Sequence, residues 1–136
     1  PAPEMAFIKL ELLYAQVGRA LADDYGATAS TVVAAGDIGA LGYYSQATIF
    51  DTIGLVTPPA TAYYPVDPAI IAPGNNYAIP PRLILDAQPD FVVIMESYGR
   101  LGLLQDPAFQ AEYALIETLA ANVYDSRGML LFRRVP

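Results

Sequence analysis

The sequence predicts a single α/β domain: a small mixed sheet with a parallel core pair, flanking helices and a C-terminal antiparallel hairpin. Short apolar runs of strand length alternate with amphipathic helical stretches along the 136 residues, which is the order typical of α/β folds. Residues 31–35 and 90–95 are apolar on both faces, as expected for a pair of parallel strands buried on both sides. A chain of this length corresponds to one domain, which we expect to cover residues 1–136.

The first half of the chain contains four predicted elements. Apolar residues recur at helical spacing over residues 4–25, and Gly26 provides a stop signal. A buried strand is expected at 31–35, one or two helical turns at 40–44, and a second short strand at 48–51.

A long loop is predicted over residues 57–81, which hold seven of the twelve prolines. A helical turn is expected near residues 67–71. Tyr63, Tyr64 and Tyr77 stand between the prolines. Loops longer than about 12–15 residues are usually functional or mobile, which makes this segment a candidate contact surface.

The second half is predicted to begin with a helix at 81–87, the strand at 90–95 and a loop at 96–100. Asp106-Pro107 is a helix start, and we expect that helix to carry Phe109, Tyr113, Leu115, Ile116 and Leu119 on its apolar side. A short hairpin of residues 122–124 and 129–133 is expected to close the sheet.

The composition excludes several classes of function. The chain has no histidine and no cysteine, so Ser-His-Asp and thiolate catalysis and Cys- or His-based metal sites are ruled out. The net charge of −7 argues against nucleic acid as a partner, because such proteins concentrate Lys and Arg. We expect no cofactor and no metal ion.

A glycine-rich turn follows the first predicted strand. Gly36 and Gly39 would let a ligand approach the backbone closely, which leaves open a stand-alone protein that binds a nucleotide, S-adenosylmethionine or another small ligand through residues 36–42. The spacing differs from the dinucleotide fingerprint. We therefore favour tight packing as the role of these glycines.

Three carboxylates lie at informative places. Asp37 and Glu96 follow the two predicted parallel strands, at the sheet edge where α/β proteins bind ligands. Each either binds a ligand or caps the next helix. Asp51 lies within an apolar run, where a buried carboxylate needs a hydrogen-bond donor or an opposite charge as its partner. We expect it to accept amides from the turn at Gly54 or to pair with an arginine, in a structural role.

Tyrosines concentrate in the predicted loops. Tyr43, Tyr44, Tyr63, Tyr64 and Tyr98 are candidate ligand-binding residues, because tyrosine combines a stacking surface with a hydrogen-bonding hydroxyl. This chemistry suits a sugar. It equally suits a protein interface, so a pure interaction module is a further alternative.

The segment 36–56 resembles one family of enzymes. Asp37, Gly39 and Tyr43, followed by Asp51 and Gly54-Leu55, form the pattern D-x-G-x-x-x-Y and D-x-x-G-L. A similar element opens the soluble domain of bacterial polytopic membrane glycosyltransferases of the protein mannosyltransferase and aminoarabinose transferase class. Weaker similarities follow in order at 89–94, 109–113 and 131–134.

The resemblance implies a domain without catalytic residues of its own. In that class the sugar donor is a polyprenyl phosphate, and the catalytic acid lies in the membrane-embedded part of the same polypeptide. The domain would lie on the extracytoplasmic face of the bacterial cytoplasmic membrane, as part of a longer membrane protein. It would recognise an acceptor or support the membrane part, and loop 57–81 would meet the sugar, the lipid-linked donor or that membrane part. Gly36, Gly39, Asp51 and Gly54 would serve the fold.

Overall fold

A mixed sheet in the order β2-β1-β3-β5-β4 forms the centre of the domain. The computed structural model describes residues 5–136. β1 pairs in parallel with β2 and β3, and β5 lies antiparallel between β3 and β4. The predicted fold class is therefore confirmed. The strands are β1 (Val32–Ala35), β2 (Thr48–Asp51), β3 (Phe91–Met95), β4 (Tyr113–Val123) and β5 (Ser126–Arg134).

Helices cover both faces of the sheet. On one face α1 and α2 enclose a core that includes Val17, Leu41 and Val93. On the other face α3 and α5 enclose a core around Ile84 and Phe109. Residue 4, where the sequence predicted the first helix to begin, lies outside the described residues. The helices are α1 (Ala6–Asp23), α2 (Gly39–Ser45), α3 (Pro81–Ala87), α4 (Glu96–Gly99) and α5 (Pro107–Glu112).

The parallel core pair is the one that the sequence predicted. Val33 lies opposite Phe91, and Ala34 lies opposite Val92. All five residues of β3 are buried, because helices pack on both of its faces. This arrangement explains why the strand carries no polar alternation.

The predicted helix from Asp106 to Leu119 is wrong beyond residue 112. Asp106 caps α5 as expected, because its Oδ1 accepts hydrogen bonds from the amides of Ala108 and Phe109. The helix ends at Glu112, and the following residues form β4. The hairpin is accordingly much longer than predicted. Its turn places Tyr124 and Asp125 at positive φ, as a two-residue type I′ turn requires.

The segment between β2 and α3 is a long connection with two 3₁₀ turns, Pro58–Tyr63 and Pro68–Ile70. The second confirms the helical turn predicted near residues 67–71. The loop predicted at 96–100 is wrong, because α4 follows β3 directly. Among residues 5–136, no helix has the length and apolar character needed to cross a membrane.

Candidate functional site

Three connections meet where the parallel strands end, and we call this region the carboxyl edge. It comprises the residues that follow β1 (36–38), β2 (52–56) and β3 (96–100). Parallel strands end on the same side of a sheet, so the topology brings these segments together. The predicted site residues Asp37 and Glu96 both lie here.

A group of tyrosines packs against the carboxyl edge. The rings of Tyr77 and Tyr98 lie 4.4 Å apart between centroids, tilted by 32°. Tyr14 reaches this group from α1, and its electrostatic neighbours include Asp37 and Tyr98. Tyr64 belongs to the same group. Its Oη donates a hydrogen bond to the carbonyl oxygen of Thr52 at 2.8 Å, and it lies close enough to Tyr77 to add to the effect of burial, which raises the pKa of Tyr77. We call Tyr14, Tyr64, Tyr77 and Tyr98 the tyrosine cluster.

The hydroxyls of the tyrosine cluster stay protonated over the physiological pH range. Burial raises the pKa of Tyr14 and of Tyr77 far above the usual value. Burial, aided by the charge of Asp51, raises the pKa of Tyr64 to about 12. Tyr14 is buried and the other three tyrosines are half-buried, so the cluster is largely packed within the chain, and its neutral phenols can both donate and accept hydrogen bonds.

Two buried polar atoms, one in the carboxyl edge and one in the loop beside it, have no hydrogen-bond partner within the described chain. They are Thr52 Oγ1 and Asn75 Nδ2. A Cβ placed on Gly36 would lie 3.5 Å from Thr52 Oγ1 and 2.9 Å from Tyr77 Oη, so these two hydroxyls converge on Gly36. Ser97 Oγ donates to Asn75 Oδ1 at 3.4 Å, which leaves the Asn75 amide nitrogen as the second available donor.

The glycine-rich turn is filled by the chain itself. Tyr77 Oη occupies the space beside Gly36, and Ile49 Cγ1 lies 3.3 Å from a Cβ placed on Gly42. The Oδ1 of Asp37 accepts a hydrogen bond from the amide of Gly39 at 3.1 Å, where a phosphate would have to bind. This geometry supports tight packing and gives no support to a nucleotide site.

Asp51 organises the loop that follows β2. Its side chain is buried, and its two oxygens accept the amides of Ile53 and Val56, each at 2.9 Å. Of the two expected partners, the structure therefore shows the backbone amides. Gly54 has φ +94°, and a Cβ there would lie 2.7 Å from Thr61 Cγ2. The loop 53–56, here called the Leu55 loop, leaves the Leu55 side chain 81% and the Val56 side chain 56% exposed.

Glu96 is held by the chain rather than left open to a ligand. Its carboxylate accepts two hydrogen bonds from Arg100 and a third from the amide of Arg127 at 3.2 Å. The Arg100 hydrogen bonds, followed by that of the Arg127 amide, hold the pKa of Glu96 below its usual value against the opposing effect of burial. This predicted ligand residue therefore fastens α4 to the β4–β5 turn.

The other predicted tyrosines make their contacts with residues outside the tyrosine cluster. Tyr43 and Tyr44 make an edge-to-face pair on α2, 5.0 Å between centroids, and the guanidinium of Arg19 lies 4.2 Å above the Tyr44 ring. Tyr63 Oη donates to Asp86 Oδ2 at 2.8 Å, so Tyr63 is turned towards α3.

Comparison with known families places the chain in a family whose description names no activity. The family model described as Domain of unknown function (DUF8728) matches residues 5–132. The chain belongs to this family. No curated protein and no solved structure matches it.

The sequence pointed to Tyr64 and Tyr98 as ligand-binding residues and to Tyr77 as part of the candidate contact loop, but it missed Tyr14 and both unpartnered atoms. Tyr14 lies on the buried side of α1, where its ring is indistinguishable from a core residue, and Tyr77 lies in the proline-rich loop. A polar tip on an otherwise apolar helix face was the available signal for Tyr14.

Within residues 5–136 there is no group of three or more acidic side chains that could hold a metal ion.

Proposed function

We propose that this chain is a non-catalytic, extracytoplasmic domain of a membrane glycosyltransferase that uses a polyprenyl-phosphate sugar donor. Its role would be to recognise the acceptor or to support the membrane-embedded part of the same polypeptide. The observation that carries the proposal is the Leu55 loop. The D-x-x-G-L element of the resemblance forms a rigid apolar projection beside the tyrosine cluster.

The Leu55 loop has the properties of a contact element. Neighbouring exposed apolar side chains can mark an interaction surface, because covering them with a partner removes apolar area from water. Asp51 fixes the loop through two amides, and Ile53 Cδ1 lies 3.5 Å from a Cβ placed on Gly36. A membrane-embedded partner bound at Leu55 and Val56 would thus lie next to the tyrosine cluster.

The chemistry of the carboxyl edge favours a sugar as ligand. It combines aromatic rings, neutral hydroxyls, the Asn75 amide and the Asp37 carboxylate, which together match the hydroxyl groups and apolar faces of a carbohydrate. The engaged carboxylate of Glu96 supports recognition over catalysis. General acid–base chemistry by Asp37 and Glu96 would need both groups to reach the substrate.

The first test is the size and location of the native protein. An antibody raised against this domain is used on fractionated host cells. We expect a band far above 14.6 kDa in the membrane pellet, because each membrane span adds roughly 20 residues. A soluble band near 14.6 kDa contradicts the proposal.

A second test addresses the Leu55 loop directly. Leu55→Ser with Val56→Ser is compared with Leu115→Ser, which changes another exposed leucine, on β4. We expect the double variant to leave the unfolding of the isolated domain unchanged and to lower the thermal stability of the detergent-solubilised full-length protein. Leu115→Ser should alter neither. Equal behaviour of the two full-length variants would refute a docking role for the loop.

A further inference from the structure

The carboxyl ends of β1 and β3 form the switch point of the sheet. From β1 the chain turns to α2, which packs on one face. From β3, which lies beside β1, it continues through α4 to α5, which packs on the other face. Where the connections of two adjacent strands leave in opposite directions, a crevice opens between the strand ends, and α/β proteins bind ligands there. In this chain that place lies between residues 36–38 and 96–98.

The side chain of Tyr77 lies across the switch point. Its ring packs on the ring of Tyr98, which follows β3, with 4.4 Å between centroids. Its Oη lies 2.9 Å from a Cβ placed on Gly36, which follows β1. One side chain therefore bridges the two strand ends, and its ring covers the face of Tyr98 on which a ligand ring would stack.

The segment that carries Tyr77 is held by few hydrogen bonds. Between Ala72 and Ile79 the backbone makes a single backbone hydrogen bond within the described chain, from the amide of Asn75 to the carbonyl oxygen of Ala72 at 3.1 Å. Ala72 and Ile79 are themselves buried, and Gly74 has φ +83°. A poorly bonded stretch between two anchored ends is the kind of segment that opens locally at a low free energy. We call residues 73–77 the Tyr77 segment.

The closed position of the Tyr77 segment buries a hydroxyl without pairing it. The Thr52 side chain is fully buried, and its Oγ1 has no hydrogen-bond partner within the described chain. This Oγ1 lies 3.5 Å from the same Cβ position on Gly36 that Tyr77 Oη approaches. A buried hydroxyl without a partner destabilises the state that buries it. Movement of Tyr77 away from Gly36 would let water or a ligand hydroxyl reach Thr52, so the open state recovers the lost hydrogen bond.

We propose that the Tyr77 segment is a lid, which closes the crevice between β1 and β3 with the Tyr77 ring and opens to admit a ligand. The inference deepens the proposed function and rests on it for the class of ligand, a sugar. The ring of the sugar would stack on Tyr98 in place of the Tyr77 ring, and one of its hydroxyls would reach Thr52 Oγ1. A lid explains how tyrosines that are packed within the chain can serve a binding site.

Thiol labelling tests the lid without any ligand, because the chain has no cysteine of its own. Thr52→Cys places a thiol beneath Tyr77, and Ser45→Cys places one at an equally buried position at the end of α2. Both variants are treated with Ellman's reagent after circular dichroism confirms that they are folded. We expect Thr52→Cys to react roughly 100-fold faster, because local opening exposes its thiol whereas only global unfolding exposes the thiol at position 45. Low urea concentrations should accelerate Ser45→Cys but hardly change Thr52→Cys, since local opening exposes little surface.

A second reporter makes the test independent of the Thr52 substitution. Ser97 is also fully buried, and its Oγ contacts Asn75 Oδ1 of the Tyr77 segment. Ser97→Cys should therefore also react faster than Ser45→Cys, with the same weak dependence on urea. If both reporters react at the rate of Ser45→Cys and with its urea dependence, the lid is refuted.

Removal of the Tyr77 ring tests which side chain closes the crevice. Tyr77→Ala, combined with Thr52→Cys, should raise the labelling rate about tenfold or more, because the thiol no longer depends on a minor open state. Tyr63→Ala is the matched control, because Tyr63 is a half-buried tyrosine of the same loop that is hydrogen-bonded to Asp86 instead. It should leave the labelling of Thr52→Cys unchanged. Equal rates with and without the Tyr77 ring overturn the proposal.

The lid and the proposed function can fail separately. The labelling experiment uses the isolated chain and no sugar, so its failure overturns the lid and leaves the assignment to a membrane glycosyltransferase as it stands. A soluble native band near 14.6 kDa contradicts that assignment, whereas rapid labelling of Thr52→Cys would still support the lid.

Discussion

The carboxylate of Glu96 binds both arms of the Arg100 guanidinium, at 2.8 Å from Nε and 2.7 Å from Nη2. Arg100 also donates to the carbonyl oxygen of Asp125 at 2.9 Å, and Glu96 accepts the amide of Arg127. The pair therefore joins the end of β3 to the β4–β5 turn. It holds Ser97 and Tyr98, which lie between the two charges, in a fixed position at the carboxyl edge.

Glu96→Gln should destabilise the fold. Removal of one partner leaves the half-buried Arg100 without its charge-assisted hydrogen bonds, and we expect a loss of about 1–3 kcal/mol. Urea unfolding followed by circular dichroism measures this change.

Arg82→Gln is the matched control for a lost ion pair. Arg82 and Asp86 form an exposed pair of the same i,i+4 spacing at 2.8 Å. Exposed helical pairs contribute about 0.3–0.5 kcal/mol, so this variant should unfold almost like the native chain. If the two variants lose equal stability, Glu96 has no special structural role.

Acid should remove the contribution of Glu96. Arg100 lowers the pKa of Glu96 in the folded state below its usual value of 4.5. Because the folded pKa is the lower one, the stabilisation is fully present above pH 4.5 and is lost as the pH falls through the folded pKa. The stability difference between the native chain and Glu96→Gln should therefore shrink on acidification. A difference that stays constant with pH would contradict this assignment.

Alkali should unfold the domain through its buried tyrosines. Burial raises the pKa of Tyr64 and of Tyr113 from 10.0 to about 12. With the folded pKa raised, the stabilisation is complete below pH 10 and is lost as the pH rises towards 12. Tyr64→Phe should reduce the stability lost between pH 9 and pH 11, as measured by urea unfolding. Tyr43→Phe removes a phenol from an exposed side chain and should leave that loss unchanged.

The parallel core could be predicted from the sequence, whereas β4 could not. Fully apolar runs such as 91–95 have few alternatives to a buried strand. Tyr113 and Ile116 of β4 happen to continue the helical spacing that begins at Phe109 in α5, and only the pairing of β4 with β5 decides the outcome. That pairing is a tertiary interaction, which overrides local propensity.

The candidate site was predictable to a similar degree. Asp37, Glu96 and Tyr98 follow predicted strands, so the topology alone brought them to one edge. Tyr14 and Tyr77 come from an α-helix and a loop far away in the sequence. The packing of Tyr77 against Gly36 and Tyr98 is a tertiary interaction, and so is the approach of Tyr14 to Tyr98. The pairing of Glu96 has a local signal in the sequence, because Arg100 follows it by four residues, the spacing of an ion pair on a helix.

Gly54→Ala should show how the Leu55 loop is held. Gly54 has φ +94° and a Cβ there would lie 2.7 Å from Thr61 Cγ2, whereas Gly26 has φ +67° and nothing within 4 Å. Gly26→Ala should therefore lower the free energy of unfolding only through the strain of alanine in the left-handed conformation, by about 1–2 kcal/mol. Gly54→Ala adds a steric clash with Thr61 and should lower the free energy of unfolding by more. Thr61→Ser removes Cγ2 and keeps the hydroxyl that donates to the carbonyl oxygen of Pro58.

The double variant Gly54→Ala with Thr61→Ser separates strain from clash. We expect Thr61→Ser to restore part of the stability lost by Gly54→Ala, to about the cost of Gly26→Ala. Such non-additivity is expected only for residues in contact, and a double-mutant cycle by urea unfolding measures it. Strictly additive losses would mean that the methyl group added at position 54 never meets Thr61. The Leu55 loop would then be free to relax, and its rigidity, on which the proposed docking role depends, would be refuted.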